Sequence, residues 1–378
     1  MIIINFEYVH LVTNIPASKL YFWSLILYPL QIMKNTFVGL LSLALFASCG
    51  GNQDVKEEKK VSLNQEVAQE AESLLTRAQN YFGPLPKEAP SATNPLSPEK
   101  IALGKKLFFD KRLSKDGTIS CNSCHNLDTY GVDNLATSPG DEGKNGARNS
   151  PTVMNAAFHI AQFWDGRAAD VEEQAGGPIL NPIEMNIPSE EFMEKRLSQI
   201  PEYKSLFAKA FPNTKGISYD NLQNAIGAFE RTLITPSKFD NYIVGDESAL
   251  NAVEKKGLEL FINTGCITCH NGPLFGGNQY QKFGLFGNYW ELTGSNPIDM
   301  GIFTESGSES DKYFFKVPSL RNIEKTYPYF HDGSVSDLNK AVIIMAKLQN
   351  NKKLSEADAA SIVTFLATLT GEVSSKMK

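Results

Sequence analysis

The chain has 378 residues, of which 42% are hydrophobic and 21% charged, so it can bury more than one core. Its formal net charge is −6, which argues against binding to nucleic acid or to an anionic membrane surface. A basic protein partner remains compatible with that charge.

The N-terminal segment has the order of an export signal. From Met33 it carries a lysine, an apolar run over residues 37–46, small residues and then Cys49. This order resembles a bacterial lipoprotein signal, in which the cysteine becomes the lipid-bearing first residue. A short membrane anchor is the alternative, but the apolar run is too short for a good one. We therefore expect residues 1–48 to be a leader, translation to start at Met33, and the mature protein to be periplasmic with a lipid anchor at Cys49.

Residues 49–96 begin as a polar, charged tether. Apolar residues then recur at helical spacing, which predicts one helix ahead of a proline-rich stretch. The recurring residues are Val67, Ala71, Leu74, Leu75 and Ala78.

Further helices are predicted along the rest of the chain. Ser97 and Pro98 supply an N-cap and a first-turn proline for one helix, and residues 219–233 repeat apolar side chains at helical spacing. A last helix begins at a Ser355 cap and stops at Gly371. Because no strand-rich region stands out, the fold is expected to be mainly α, with long loops.

The pattern C-x-x-C-H occurs twice and uses four of the five cysteines. It is typical of covalent c-type haem attachment, with two thioether bonds and the histidine as an iron ligand. A disulfide or half of a zinc site could use the C-x-x-C pairs, but neither requires the histidine that follows both. We predict two c-type haems, bound by Cys121, Cys124 and His125 and by Cys266, Cys269 and His270.

The two motifs lie in a weak internal repeat. Residues 104–126 and 257–272 share a helix, a Leu-Phe pair, a loop and the haem motif. The pattern predicts two cytochrome c-like haem domains in tandem, over residues 97–236 and 237–372.

The ligand opposite each haem histidine decides what each haem can do. Five histidines exist, and His10 lies in the leader, so His159, His331 or a methionine could serve as sixth ligands. Methionine opposite histidine raises the reduction potential and favours electron transfer, whereas an open position favours binding and splitting of peroxide.

Several longer stretches match a known family. "FWDGRA" within residues 148–168, "EEQAGGPILNPIEM" from residue 172, "VPSLRNIEKTYPYFHDGSV" from residue 317 and "AVIIMAKLQ" from residue 341 closely resemble the bacterial di-haem cytochrome c peroxidases. The similarity extends from about residue 97 to residue 371. It implies reduction of hydrogen peroxide with electrons from a small external redox protein, either a c-type cytochrome or a copper protein.

The resemblance assigns different roles to the two haems. Met345 matches the methionine ligand of the C-terminal haem, which would make that haem the high-potential site that receives electrons. Trp164 matches a tryptophan that relays electrons between the haems. A methionine or tryptophan on an apolar stretch is otherwise more often a core residue.

Residues of the N-terminal, peroxidatic domain match the family's peroxide site. Glu184 matches the acidic residue over the haem, where one carboxyl can carry a proton between the peroxide oxygens. Phe163 and Gln174 match other residues of that pocket. Without the family, Glu184 would be interpreted as a surface glutamate.

The resemblance also implies a calcium ion between the domains. Its ligands would be Asn149 and the backbone carbonyls of Thr326 and Pro328, and oxygen ligands suit calcium. The alternative is a purely structural role, in which Asn149 only caps a turn. Members of the family often form homodimers, although no interface signal stands out in this sequence.

One departure from the family concerns the loop after the first haem motif. Many members hold a histidine there that ligates the first iron until the other haem is reduced, and the matching position is Asp141. We therefore expect an open first haem. Met154, Lys144 or His159 could take the empty position instead, although we predict His159 to be a core helix residue and His331 to make contacts behind the ligands.

Two other functions compete with a peroxidase. The first is oxidation of a protein or organic substrate, as in the related di-haem enzymes that mature tryptophan-derived quinone cofactors. Those carry tyrosine in place of the methionine, so Met345 counts against it. The second is a di-haem electron carrier, which needs both irons six-coordinate, and the absence of a spare ligand disfavours it.

Overall fold

A computed structural model describes residues 72–214 and 216–378. The expected leader, Cys49, the tether and the first residues of the first expected helix lie outside the described residues. The described part is mainly helical, as the sequence predicts. Its α-helices are α1 Leu74–Gln79, α2 Pro98–Phe108, α3 Cys121–Cys124, α4 Val171–Leu180, α5 Glu190–Ser198, α6 Pro201–Ala210, α7 Tyr219–Glu230, α8 Lys238–Ile243, α9 Ala252–Thr264, α10 Tyr289–Thr293, α11 Phe303–Ser306, α12 Leu338–Asn350 and α13 Glu356–Ala367.

Short elements complete the fold. Two strands, β1 Tyr280–Lys282 and β2 Phe314–Lys316, form an antiparallel pair in which Tyr280 lies opposite Lys316. One-turn 3-10 helices are Lys111–Leu113, Leu127–Thr129, Ala156–Phe158, Glu247–Ala249, Cys266–Thr268, Glu309–Asp311 and Ile323–Lys325. Of the helices in the described residues, none has the length and apolar character needed to cross a bilayer.

The predicted helix starts are confirmed by their caps. The Ser97 hydroxyl accepts a hydrogen bond from Lys100 N at 3.2 Å, and the Ser355 hydroxyl accepts one from Asp358 N at 3.1 Å. Each bond satisfies a backbone N–H that the first helical turn leaves without a partner.

The internal repeat corresponds to the same helix crossing in both halves. A Cβ on Gly104 of α2 would lie 1.8 Å from the carbonyl oxygen of Ala225 in α7, and a Cβ on Gly257 of α9 would lie 2.1 Å from that of Ser361 in α13. Glycine therefore lets the backbones of each pair approach closely.

The aromatic residue four positions later also repeats its contact. Phe108 meets Phe229 edge-on, with ring centroids 5.4 Å apart, and Phe261 meets Phe365 at 5.5 Å. The two halves thus share one packing scheme, which is the scheme expected of two tandem haem domains.

The first and last segments of the described residues each pack on the half that is more distant in the sequence. Ala78 and Phe82, on and after α1, belong to the core built by α8, α9 and α13. Met377, near the C-terminus, belongs to the core of α2, α6 and α7. Each half is therefore completed by a segment from beyond its own expected boundaries.

Candidate functional site

The first C-x-x-C-H motif folds as α3 with its histidine directly after it. A capping box starts the helix, in which Ser120 N donates to the Ser123 hydroxyl at 2.9 Å. His125 follows as the C-cap, and its Nδ1 lies 3.0 Å from the carbonyl oxygen of Pro151. With the Nδ1 proton donated to that carbonyl, Nε2 keeps a free lone pair for a metal.

The second motif reaches the same arrangement by a different local structure. Gly265, in the left-handed region, ends α9, and a 3-10 turn carries Cys266. His270 Nδ1 lies 3.0 Å from the carbonyl oxygen of Phe275. Gly276 has no Cβ, and one placed there would lie 2.2 Å from the Pro318 carbonyl oxygen, so glycine permits this close turn behind the histidine.

Both histidines are held neutral. Burial lowers the pKa of His125, although the negative charge of Asp133 opposes this, and burial likewise lowers the pKa of His270. Neutral imidazole is the form that ligates iron.

Each motif faces its own cavity. The N-terminal cavity has a volume of about 970 Å³ and is lined by the first motif together with Phe163, Trp164, Gln174, Glu184 and Glu230. The C-terminal cavity has mainly apolar walls and is lined by the second motif together with Phe261, Trp164, Met345 and Leu366.

The donor sets fit covalent c-type haem better than the alternatives. All four motif cysteines are unpaired, so the structure does not form the disulfides that the sequence left open. Among the described residues, no three His, Cys, Asp or Glu side chains converge into a metal-binding cluster of the kind that zinc uses. Two thiols and one imidazole with a free Nε2, on the wall of a cavity, are the groups that a c-type haem needs.

Met345 lies in the cavity where the family resemblance places a ligand. It projects from α12, is half-buried, and lines the C-terminal cavity with His270. The structure thus brings the thioether and the imidazole to one cavity from residues 75 positions apart in the sequence.

Trp164 lines both cavities. Its indole Nε1 donates to the carbonyl oxygen of Asn149 at 2.9 Å, and its own carbonyl oxygen accepts a hydrogen bond from Lys316 N at 2.8 Å. These bonds fix the ring and the backbone between the two sites.

Ion pairs brace this segment, and the sequence analysis did not find them. Asp165 pairs with both Arg148 and Arg167, and Arg148 also pairs with Asp299 at 2.6 and 3.0 Å. The charged residues flanking Trp164 in "FWDGRA" were the only local signal, because Asp299 is 151 residues away from Arg148.

Phe163 is held in an unusual backbone conformation at the N-terminal cavity. Its φ is +65°, which is rare for a bulky residue. The guanidinium of Arg167 lies 3.4 Å from the ring centroid, and the ring packs against Gly177, where a Cβ would lie 3.3 Å from it. These two contacts, one over the ring and one at its tip, keep Phe163 at the cavity wall.

Glu184 is a perturbed carboxyl in that cavity. Its Oε1 accepts a hydrogen bond from Asn181 Nδ2 at 2.8 Å. Burial raises the pKa of Glu184, while the positive charge of Arg167 and the Asn181 hydrogen bond oppose the rise. A carboxyl with a raised pKa beside a cavity is suited to exchange protons near neutral pH. Gln174, on α4, lines the same cavity.

Asp141 does not line the N-terminal cavity, and its carboxylate anchors its loop. Its carboxylate accepts hydrogen bonds from Asp116 N at 2.7 Å and Thr118 N at 3.3 Å, and its own N–H donates to the Glu184 carbonyl oxygen at 2.7 Å. Burial opposes ionisation of Asp141, but these hydrogen bonds and that of the Thr118 hydroxyl outweigh it and lower its pKa.

None of the substitute ligands considered from the sequence lines the N-terminal cavity in the part of the chain that the structure describes. Met154 is buried in the first core, and Lys144 Nζ pairs with Glu142 at 2.9 Å. His159 lines the C-terminal cavity instead. The prediction that His159 lies in a helix is wrong, since it follows a 3-10 turn in extended conformation.

Asn149, Thr326 and Pro328, the residues implied for calcium, all line the C-terminal cavity. Asn149 Nδ2 donates to the carbonyl oxygen of Leu135 at 2.9 Å, which turns Oδ1 away from that bond. Asn134 Nδ2 donates to the carbonyl oxygens of Lys325 and Tyr327, so the backbone around Thr326 and Pro328 is tied to the loop that carries Asn149.

Comparisons with known proteins agree with this arrangement. A family model described as di-haem cytochrome c peroxidase matches residues 98–248, and one described as cytochrome c matches residues 254–370. The chain is 48% identical over 282 residues to a cytochrome c551 peroxidase of Nitrosomonas europaea, covering 74% of this chain and 83% of that protein. It is 46% identical over 306 residues to a cytochrome c551 peroxidase of Pseudomonas aeruginosa, covering 80% and 88%. A solved structure of a MauG-like protein associated with microbial copper homeostasis is 29% identical, with a TM-score of 0.68 over 78% of this chain and 96% of that one.

The fold and the two cavities define a protein with two c-type haem sites in a tandem helical arrangement. The identities of 48% and 46% to the two cytochrome c551 peroxidases cover most of this chain and of each relative, so they identify the family as well as the haem sites. The chain belongs to the di-haem cytochrome c peroxidase family.

Proposed function

We propose that the protein is an exported di-haem peroxidase that reduces hydrogen peroxide to water with electrons from a small redox protein. The observation that carries this proposal is the difference between the two cavities. One offers a second iron ligand, Met345, and the other offers a carboxyl with a raised pKa, Glu184.

Cys121, Cys124 and His125 would hold one haem, and Cys266, Cys269 and His270 the other. When bound, the haems supply the one-electron steps of the overall reaction H2O2 + 2 H+ + 2 e− → 2 H2O. The protein contributes the ligands, the proton transfer and the separation of the two sites.

Glu184 would manage the proton at the N-terminal cavity. Its carboxylate takes a proton from one peroxide oxygen and delivers it to the other oxygen, which then leaves as water. Asn181 holds the carboxylate in place. Burial raises the pKa of Glu184, which makes it a better base for the first peroxide proton, while Arg167 and the Asn181 hydrogen bond limit the rise and so favour the later release of that proton. Phe163 and Gln174 would shape the pocket around the peroxide.

Met345 would complete the ligation at the C-terminal cavity and make that site the one that receives external electrons. Trp164 would carry electrons onward, since its ring lies against both cavities and is held by the Asn149 carbonyl. The donor is expected to be a c-type cytochrome or a copper protein.

Export, lipid attachment at Cys49, a homodimer and a calcium ion also belong to this proposal. The convergence of Asn149, Thr326 and Pro328 on one cavity supports the calcium site. Adding a calcium chelator to the holoenzyme should lower its turnover, with recovery on adding Ca2+ but not Mg2+, because Mg2+ prefers a smaller, more rigid shell. Turnover that ignores the chelator would remove calcium from the proposal.

Oxidation of a protein or organic substrate is the runner-up. Met345 disfavours it, because the quinone-maturing relatives carry tyrosine in that place. The deciding assay gives the holoenzyme peroxide and either a reduced c-type cytochrome or a reduced copper protein. Peroxide-dependent oxidation of either one-electron donor at twice the rate of peroxide loss supports the peroxidase, whereas peroxide loss without donor oxidation would contradict it.

A further inference from the structure

A buried lysine without a counter-ion lies on the wall of the C-terminal cavity. Lys316, at the end of β2, is 6% exposed, and its ammonium lies 3.2 Å from Nδ1 of His159. Burial lowers the pKa of Lys316 to about 8, while the charge of Asp165 opposes the shift. Asp165 already pairs with Arg148 and Arg167, so in the described part of the chain no carboxylate is left to pair with Lys316.

His159 adds an unsatisfied donor at the same place. Burial, and then the charge of Lys316, lower the pKa of His159 well below its ordinary value, so the ring is neutral. Because Nδ1 faces the ammonium, the ring proton lies on Nε2, which is buried and has no hydrogen-bond partner among the described residues. A buried N–H without an acceptor is costly, so the ring is held in this orientation by its contact with the ammonium at Nδ1.

The backbone is built to accept this pair. Gly277 has no Cβ, and one placed there would lie 2.6 Å from Cδ2 of His159. The N–H of Lys316 is bonded to the carbonyl oxygen of Trp164, which fixes β2 beside the segment between the cavities. Lys316 and His159 both line the cavity that carries the second C-x-x-C-H motif.

We propose that Lys316 binds a propionate carboxylate of the haem attached at the second C-x-x-C-H motif, and that His159 orients the ammonium by accepting one of its N–H groups at Nδ1. An ammonium has three N–H donors, and only one of them points at Nδ1 of His159, so the others are available to the oxygens of a carboxylate. This inference rests on the proposed haem at that motif. It gives the buried ammonium of Lys316, next to Trp164, the counter-ion that the side chains of the described residues do not supply.

The site has a consequence for the reduction potential of that haem. Reduction adds a negative charge, so a buried cation paired with the carboxylate favours the reduced form. Without Lys316 the carboxylate is buried and unpaired, its pKa rises, and it takes up a proton when the haem is reduced. The potential then falls as pH rises through that pKa, because the reduced haem loses its compensating proton.

The test is a spectroelectrochemical titration of the holoprotein between pH 5 and 8. For Lys316→Met at pH 8 we expect the reduction potential of the C-terminal haem to fall by about 59 mV. For a one-electron couple this is a roughly tenfold shift of the equilibrium toward the oxidised haem. The difference should shrink toward pH 5, where the carboxylate is protonated. Lys316→Arg should restore the wild-type profile, and His159→Phe, which keeps the charge, should give a smaller shift of the same sign.

Lys282→Met is the matched control. It removes the same charge from the neighbouring strand, but Lys282 does not line the cavity and should leave the potential unchanged. If Lys316→Met fails to retain the second haem, the His159→Phe variant gives the same comparison.

Three outcomes separate the inference from the function. Absence of a second covalent haem in the wild type would overturn the proposed function itself. Full haem content, with a potential and pH profile in Lys316→Met and His159→Phe equal to those of the wild type, would overturn only the propionate site. A shift of equal size in Lys282→Met would mean that any positive charge near the haem raises its potential, and it would overturn the assignment to Lys316.

Discussion

Replacement of Glu184 by glutamine removes the proton carrier and leaves most of the site in place. Glutamine keeps an Oε1 that can accept the hydrogen bond that Asn181 Nδ2 donates at 2.8 Å, so the loop should hold its position. General acid–base help is worth about 10²–10⁴-fold, which corresponds to roughly 2.7–5.5 kcal/mol of barrier. We expect Glu184→Gln to bind both haems and to lose peroxide turnover by a factor in that range.

The pH profile sharpens this prediction. The carboxylate is the working base, so kcat/KM of the wild type should fall as pH drops below the raised pKa of Glu184. This acid limb of the kcat/KM profile should be absent in Glu184→Gln. Asn181→Ala removes a hydrogen bond that opposes the rise, so its limb should move to higher pH.

The assay is steady-state oxidation of a reduced donor protein at several peroxide concentrations, with haem content measured for each variant. Glu191→Gln, on the exposed surface of α5, is the matched control and should retain wild-type turnover. Activity of Glu184→Gln within a factor of about two of wild type would refute the assignment, since that is far below the expected range.

Three further predictions concern the ligand, the open cavity and the fold. Met345→Leu should lose the high-potential couple in a redox titration while keeping both haems, and Met193→Leu, in the first core and in neither cavity, should not; an unchanged couple in Met345→Leu would assign the ligand to another residue. The fully oxidised enzyme should react with peroxide in stopped flow at the His125 haem without prior reduction, and no reaction before an electron is supplied would mean that a residue caps that iron. Gly104→Ala should lower the free energy of unfolding by about 1–3 kcal/mol, because its Cβ would clash with α7. Gly83→Ala, in open space, is the control for denaturant unfolding, and equal midpoints would contradict the packing argument.

The sequence predicted the helical fold because its signals are local. Ser97 and Ser355 cap their helices through the N–H three residues later, and the spacing of apolar residues is visible within one helix. The repeat around Gly104 and Gly257 was also visible, although its reason was not. The clash that each glycine avoids involves a carbonyl more than 100 residues away, which no local pattern encodes.

The residues of the candidate site were predicted mainly from the resemblance to the di-haem peroxidases, and less from the spacing or chemistry of the residues themselves. Glu184 carries no local mark of its raised pKa, because burial comes from the folded cavity. Asp141 was expected only as the absence of a histidine, whereas its carboxylate secures the turn at Asp116 and Thr118.

The contact between His159 and Lys316 was beyond prediction for the same reason. The two residues are 157 positions apart, and His159 had been expected in a helix. Its extended backbone and the missing Cβ of Gly277 place the ring against β2 instead.

Division of labour between the two haem sites is tested most directly by the spin state of each haem in the oxidised protein and after reduction by one electron. Optical and electron paramagnetic resonance spectra should show one low-spin haem, ligated by His270 and Met345, that accepts the first electron. The other haem, at His125, should remain ferric and high-spin in both states, because none of the substitute ligands considered (Met154, Lys144 and His159) lines its cavity. Two low-spin, six-coordinate haems in both states would contradict the account.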